Sequence, residues 1–211
     1  MRIFDMDSPF QRFLDRMTDL LVLNLFTMLL CLPVITAGAS LTAMHYVLFR
    51  MVRGQDGYVI PSFMRSFRRN WKQASIIWAF MLLYGFLTAG NLISAVTGKT
   101  MLPVWIMAVL AASLLLEYLL SLYVFPLLSR YDNPIRRTLF NALILTFTRL
   151  PLTVGMAIIT AVPALLLLTV RPLLPVVVLF GLSVPGYVCA MLYRRLFDII
   201  EGRGEGSDTE D

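Results

Sequence analysis

The sequence is poor in charge and in the residues from which most catalytic and metal sites are built. Charged residues make up 15% of the 211 residues, and the chain has one histidine and two cysteines. A typical soluble domain carries about a quarter charged residues. The motifs GxxxxGK[ST], HExxH, GxSxG and CxxC are also absent, which excludes the common phosphate-loop, zinc and hydrolase sites. We therefore expect a protein that is not an enzyme and that holds no metal or other cofactor.

Long apolar stretches are what the sequence has in abundance. Hydrophobic residues make up 58% of the chain, and the mean hydropathy is +0.77. A helix needs roughly 20 apolar residues to cross the hydrocarbon core of a membrane. The stretches that are long enough are residues 20–49, 73–98, 100–129, 150–170 and 172–193. The sequence predicts an all-α fold, a polytopic transmembrane helix bundle of about five spans. Its single domain covers residues 1–200, and a flexible cytoplasmic tail follows at 201–211.

Basic residues are concentrated in alternate connections between these stretches. The first and third connections and the C-terminal end carry most of them, whereas the second and fourth carry only Lys99 and Arg171. Cytoplasmic connections of membrane proteins are rich in lysine and arginine. This pattern places both long connections and the C-terminus in the cytoplasm. With five crossings the N-terminus would then lie outside, although Arg2, Arg12 and Arg16 do not favour that side.

Amphipathic segments flank the predicted spans and supply candidate contacts with lipid or a partner. Residues 1–19 predict a helix in the membrane interface, with a helix packed on the protein's own bundle as an equal alternative. Residues 61–72 and 134–149 predict two further interfacial helices, each begun by a proline, which suits the first turn of a helix. The candidate contacts with anionic inner-leaflet lipids or a partner are Arg65, Arg68, Arg69, Trp71, Arg136 and Arg137. Beside a membrane, such residues predict lipid contact and no nucleic acid.

Few polar residues lie within the apolar stretches. Glu117 is the one acid deep inside a stretch, and because a carboxylate facing lipid is costly, we expect it to face the bundle interior. It either binds a proton or solute, or makes a hydrogen bond between helices. Its candidate neighbours are Asn24, Asn91, His45 and Tyr123. We interpret His45 as a packed, hydrogen-bonded residue. We expect Cys31 and Cys189 to be buried free thiols, because both lie inside apolar stretches.

The segment "CLPVITAGAS" interrupts the first apolar stretch. Pro33 removes a helical hydrogen bond, and Gly38 weakens a helix further. Gly38 and Thr42 lie one turn apart, and such small residues let two helices approach closely. We expect a kink or short break followed by a close-packed helical face. The alternative is a ligand site on the freed backbone groups, as in transporters with discontinuous helices.

Three segments carry a resemblance to a known family: "LCLPVITAGAS", "MVRGQDGY" and "SFRRNWKQA". The chain resembles the YesL-like integral membrane proteins of Gram-positive bacteria, a domain of unknown function, most strongly over residues 10–80. The resemblance implies a multi-pass protein of the bacterial cytoplasmic membrane whose relatives are associated with carbohydrate use and sugar ABC importers. It implies no catalytic residue.

Two functions are consistent with these features. The first is a non-enzymatic accessory membrane protein that binds a carbohydrate ABC permease or another membrane protein. The second is a small solute or proton-coupled transporter or channel that uses Glu117 and the helix break at Pro33 and Gly38.

Overall fold

A computed structural model describes residues 9–55, 57–169 and 171–200 of the chain. These residues form helices and connections and contain no strand, which confirms the predicted all-α fold. The helices are α1 (Pro9–Cys31), α2 (Ala37–Val52), α3 (Val59–Val96), α4 (Val104–Arg130), α5 (Ile135–Thr148), α6 (Leu150–Thr169), α7 (Leu174–Phe180) and α8 (Ser183–Ile200). Short 3₁₀ turns cover Val34–Thr36 and Arg171–Leu173. The predicted tail at 201–211 and the first eight residues of the predicted N-terminal helix lie outside the described residues.

Three of the described helices are long and apolar enough to cross a membrane. They are α3, α4 and α6, and α7 with α8 would make a fourth span if the pair, bent by 46°, crosses as one broken helix. The chain therefore has the helices of a multi-pass membrane protein. The predicted count of five spans is not confirmed.

The predicted first span, residues 20–49, is a hairpin of two helices in the structure. The Nη1 atom of Arg16 in α1 donates a hydrogen bond to the carbonyl oxygen of Met51 in α2 at 3.0 Å. In a straight helix these residues would be about 50 Å apart, so α2 runs back along α1. The break falls at Pro33, where the hydroxyl of Thr36 donates to the Leu30 carbonyl at 2.7 Å and closes the turn. The sequence predicts the position of the interruption as a kink or short break, but not the reversal of chain direction that follows it.

Two of the predicted interfacial helices also differ from the structure. α1 runs without a break from Pro9 to Cys31, so the N-terminal segment is not a separate helix. Likewise, the predicted helix at 61–72 and the predicted span at 73–98 form one helix of 38 residues, α3. The side chain of Phe63 is fully buried, and its ring lies 5.9 Å from that of Phe26. This part of α3 therefore packs against the protein with its aromatic face.

The third predicted interfacial helix is present as α5. Thr138, Ala142 and Thr146 are buried one turn apart on one side of α5, while Phe140 and Phe147 are exposed. Asn133 and Pro134 precede α5. Because proline suits the start of a helix, a new helix begins here after α4 ends at Arg130. α5 thus has the two-sided character that an interfacial helix requires.

The small-residue face of α2 packs against α3. A Cβ atom placed on Gly38 would lie 2.5 Å from the Cβ of Trp78 and 2.7 Å from the carbonyl oxygen of Ala74. Only glycine permits this approach without movement of the backbone, and Thr42 on the same face is fully buried. This arrangement agrees with the close-packed interpretation of the segment.

Candidate functional site

A side-chain amide from the hairpin occupies the interruption between α7 and α8. Asn24 of α1 is fully buried. Its Nδ2 donates to the carbonyl oxygen of Val178 at 2.8 Å. Its Oδ1 accepts from the backbone N–H groups of Leu182 and Ser183, both at 2.9 Å. In an uninterrupted helix the Leu182 N–H would donate directly to the Val178 carbonyl. Asn24 is therefore inserted between the two groups and satisfies both while the helix bends.

Glycine at position 181 is required by the same bend. The backbone N–H of Gly181 donates to the Val177 carbonyl at 2.7 Å. A Cβ atom on Gly181 would lie 2.3 Å from that oxygen and 2.8 Å from a Val177 methyl carbon. A side chain at this position would thus force the backbone to move.

A cavity of about 290 Å³ lies beside this bend. Its walls come from α2, α3, α4, α6, the residues between α7 and α8, and α8. The apolar part of the wall consists of Leu41, Met44, Trp78, Leu122, Phe125, Leu182 and Pro185, with Gly181 and Gly186 also lining the space. The polar part consists of His45, Tyr118, Ser121, Thr160, Cys189 and Tyr193. A largely apolar cavity with a few converging polar groups is the usual form of a small-molecule site.

The hydroxyl groups of the cavity are held in fixed positions by neighbouring helices. The Tyr118 hydroxyl donates to the Ala157 carbonyl at 2.8 Å and lies 2.6 Å from the Thr160 hydroxyl. These contacts join α4 to α6. The Tyr193 hydroxyl donates to the carbonyl oxygen of Leu122 and joins α8 to α4. The cavity therefore has ordered polar groups on a rigid frame, which favours selective binding.

His45 has a polar atom for which the protein supplies no partner among the described residues. The residue lines the cavity, and its Nδ1 is buried without a hydrogen bond. A buried polar atom without a partner is costly. The sequence predicts a packed, hydrogen-bonded His45. The structure shows the packing, since the His45 ring lies 6.4 Å from the Phe49 ring between centroids, but within the part of the chain that it describes it shows no hydrogen bond at Nδ1.

Glu117 lies away from this cavity. It lines an apolar groove of about 440 Å³ between α3, α4 and α5. Its Oε2 would be 3.0 Å from a Cβ atom on Gly85. Glu117 is half-buried, and the described residues give it no hydrogen bond or ion pair. None of its four expected neighbours makes a hydrogen bond with it. Asn24 holds the α7–α8 bend, and His45 lines the other cavity. Asn91 donates to the Leu87 carbonyl, and Tyr123 pairs with Thr153, both at 2.8 Å.

Three backbone carbonyls at the turn at Pro33 accept hydrogen bonds from groups of the protein itself. The Val34 carbonyl accepts from Trp78 Nε1 at 2.7 Å. The carbonyl oxygens of Leu30 and Pro33 accept from the Thr36 hydroxyl at 2.7 and 2.8 Å. The turn thereby holds the indole of Trp78, which also lines the cavity. Cys31 before the turn is only partly buried, whereas Cys189 is buried, and both are free thiols.

The arginines expected to contact lipid or a partner lie in different surroundings in the structure. Arg65 and Arg69 line one pocket together with Arg50, Arg53 and Arg130. Arg137 lines another, with Tyr131 and Asn141 among its neighbours. Arg68 and Arg136 are exposed, and Trp71 is 47% exposed.

Comparison with known proteins gives one match. A family described as "Protein of unknown function, DUF624" matches residues 20–92. That segment contains most of α1, the Pro33 turn, α2 and most of α3. No curated protein and no solved structure matches the chain. The match carries no activity with it, and it does not confirm the resemblance to YesL-like proteins.

Several residues of the candidate site were not found from the sequence. Tyr118 and Thr160 are 42 positions apart, and neither stands in a recognisable motif. Asn24 was identified only as a polar residue in an apolar stretch, without its partners at Val178 and Leu182. The one usable signal was that a buried amide in a membrane helix must find hydrogen-bond partners.

Proposed function

We propose that this chain is a non-enzymatic, multi-pass protein of the bacterial cytoplasmic membrane that binds a small uncharged solute in the cavity beside the α7–α8 bend and transports it. The observation that carries the proposal is the position of the cavity, where an interrupted helix and a helical hairpin meet. In many transporters, discontinuous helices lie at the substrate site because their interruptions free polar groups and allow movement.

The chemistry of the lining favours an uncharged ligand. None of the described lining residues is an acid, a lysine or an arginine. The hydroxyl groups of Tyr118, Ser121 and Thr160 and the unpaired Nδ1 of His45 suit a molecule with hydroxyl or amide groups. A volume of about 290 Å³ corresponds to roughly ten water molecules at about 30 Å³ each. This space suits a small polyol or monosaccharide.

The α7–α8 bend forms part of the cavity wall, so a change in the bend angle would change the shape of the cavity. Gly181 and Leu182 line the cavity, and the Leu182 N–H is held by Asn24. A change in the bend angle would therefore change the wall of the cavity. Transport requires the site to open alternately to the two sides, and bending at an interruption is one means of opening it.

Uptake by protein-containing liposomes tests the proposal. Osmotic swelling is followed by light scattering with a panel of uncharged polyols and monosaccharides. We expect at least one solute to enter faster than into empty liposomes, and Thr160→Val to reduce that uptake because it removes the hydroxyl beside Tyr118. Thr169→Val is the matched control, since Thr169 is an exposed threonine on the same helix that also donates to its own helix, at 2.8 Å.

Two outcomes would contradict the proposal. One is uptake no faster than in empty liposomes for every solute, with the protein folded. The other is an equal effect of Thr160→Val and Thr169→Val on the solute that enters. The second result would place the pathway away from this cavity.

A second candidate, an accessory subunit of another membrane protein, is favoured by the groove around Glu117. A half-buried carboxylate without a partner among the described residues lies in an apolar groove at the level of the spanning helices. A helix from a partner with a cationic or hydrogen-bonding side chain would satisfy it. The resemblance to YesL-like proteins suggests a sugar importer as that partner.

A further inference from the structure

Five arginines converge on one pocket where the end of α2, the beginning of α3 and the end of α4 lie together. The pocket has a volume of about 410 Å³. Arg50 and Arg53 come from the end of α2 and the residue after it, Arg65 and Arg69 from α3, and Arg130 from the last residue of α4. They are separated by up to 80 positions in the sequence, so only the packing of the three helices brings them together. The described lining contains no carboxylate and is completed by Tyr46, Phe49, Gln55 and Ser129.

Hydrogen bonds within the protein orient the guanidinium groups of Arg50 and Arg69. Arg50 Nη1 donates to the Ser62 hydroxyl at 3.0 Å. Arg69 Nη2 donates to the Ser129 carbonyl at 3.3 Å, and its Nε lies 3.7 Å from Asp132, whose side chain is 77% exposed. Each guanidinium has five N–H donors, so donors remain at both residues. Arg65 has no hydrogen bond or ion pair among the described residues.

Convergence of like charges has a cost that an anion removes. Positive groups in a partly enclosed pocket repel one another more strongly than in open water, because the surrounding protein is less polarisable. Arginine makes two parallel hydrogen bonds to a phosphate or a carboxylate, and several arginines can share the oxygens of one phosphate. The pocket therefore fits a compact anion with several oxygens better than a single carboxylate.

We propose that this arginine pocket, formed by Arg50, Arg53, Arg65, Arg69 and Arg130, binds a phosphate group. The ligand is either the head group of an anionic phospholipid or a soluble phosphate compound. The site is separate from the uncharged cavity, and it differs from general attraction to a membrane surface because specific guanidinium groups hold the ligand. If the liposomes showed no solute uptake, the proposal of a phosphate site would be unaffected, because it depends on different residues.

Binding is measured with the purified full-length chain in two arms. In the first, inorganic pyrophosphate is titrated in detergent, with sodium chloride at matched ionic strength as the reference, and the thermal unfolding midpoint is recorded. In the second, the protein is placed in nanodiscs with increasing phosphatidylglycerol in phosphatidylcholine, whose choline neutralises its phosphate. Saturable stabilisation by pyrophosphate in the first arm identifies a soluble phosphate compound as the ligand. Saturable stabilisation by phosphatidylglycerol in the second arm alone identifies a lipid head group.

Matched arginine variants decide whether the pocket is responsible. Arg65→Gln removes one charge from the pocket, and Arg68→Gln removes one from an exposed position on the same helix. We expect Arg65→Gln to weaken binding about tenfold or more, the effect of losing a charge-assisted hydrogen bond, and Arg68→Gln to leave it nearly unchanged. Arg65→Lys should give an intermediate loss, because lysine keeps the charge without the planar fork.

Two results would overturn the inference. Equal weakening by Arg65→Gln and Arg68→Gln would mean that the basic surface acts as a whole. No saturable stabilisation beyond chloride in the first arm, together with none from phosphatidylglycerol in the second, would mean that the pocket holds no phosphate. Both variants concern exposed side chains, and unchanged unfolding midpoints without ligand serve as the check on folding.

Discussion

Replacement of Asn24 by alanine is expected to destabilise the protein far more than a typical polar substitution. The substitution removes three hydrogen bonds to the α7–α8 bend, of 2.8, 2.9 and 2.9 Å. It leaves a carbonyl and two N–H groups of the α7–α8 bend without their partner. Each buried polar group without a partner costs about 1–3 kcal/mol, but straightening of the helix would let the Leu182 N–H donate to Val178 again. Allowing for that relaxation, we expect a loss of about 3 kcal/mol.

Thermal unfolding in mild detergent measures this loss. For a chain of this size, 1 kcal/mol corresponds to a fall in Tm of about 2–4 °C, so Asn24→Ala should lower Tm by roughly 6–12 °C. Asn91→Ala is the matched control, because Asn91 is exposed and its Nδ2 donates only to the Leu87 carbonyl of its own helix at 2.8 Å. That control should change stability by about 0.5 kcal/mol or less. Equal shifts for the two variants would refute the bridging role of Asn24.

Two further predictions concern Glu117 and the side of the N-terminus. Glu117→Leu should keep or raise Tm, because no described residue pairs with Glu117 and would lose its partner. The substitution should also release any membrane protein that co-purifies through the groove, and a fall in Tm would support the packing role instead. The side of the N-terminus is tested with single cysteines in cysteine-free protein and an impermeant thiol reagent on intact cells. Phe10→Cys and Asp132→Cys should resist the reagent, while Lys99→Cys should react. The reason is that the α1–α2 hairpin returns the chain to the side of the membrane from which it came. Labelling of Phe10→Cys from outside would instead support five crossings.

The positions of several helices follow from local patterns in the sequence. Apolar runs of sufficient length predict α4 and α6, and Pro134 predicts the start of α5. Pro33 predicts the end of α1. Each of these depends on a residue or run acting on its own neighbours, and sequence patterns describe such effects well.

Chain direction and helix continuity could not be predicted in the same way. Pro33 ends a helix but does not determine where the chain goes next; the reversal depends on packing between Gly38 and Trp78, which are distant in sequence. Similarly, the change from basic to apolar residues near Lys72 was interpreted as a helix boundary. It marks a change in the surroundings of α3, and no residue there interrupts the helix itself.

The candidate sites depend on tertiary contacts still more strongly. The cavity joins Tyr118 to Thr160, and the arginine pocket joins Arg50 to Arg130. From the sequence, Arg50 and Arg130 looked like ordinary flanks of apolar stretches. Their convergence follows from the way in which the end of α2, the beginning of α3 and the end of α4 lie together, which no local pattern records.

The hairpin of α1 and α2 is the central claim, because it places Asn24 at the α7–α8 bend and Trp78 at the cavity. A distance measured by electron spin resonance tests it most directly, with spin labels on Phe13→Cys and Tyr58→Cys in cysteine-free protein in lipid nanodiscs. Both side chains are exposed, at 57% and 86%, and they lie near the ends that Arg16 and Met51 join at 3.0 Å. If α1 and α2 form the hairpin, the distance is far shorter than the roughly 50 Å or more that one straight or gently kinked helix would impose. A distribution centred at about 50 Å or beyond would contradict it.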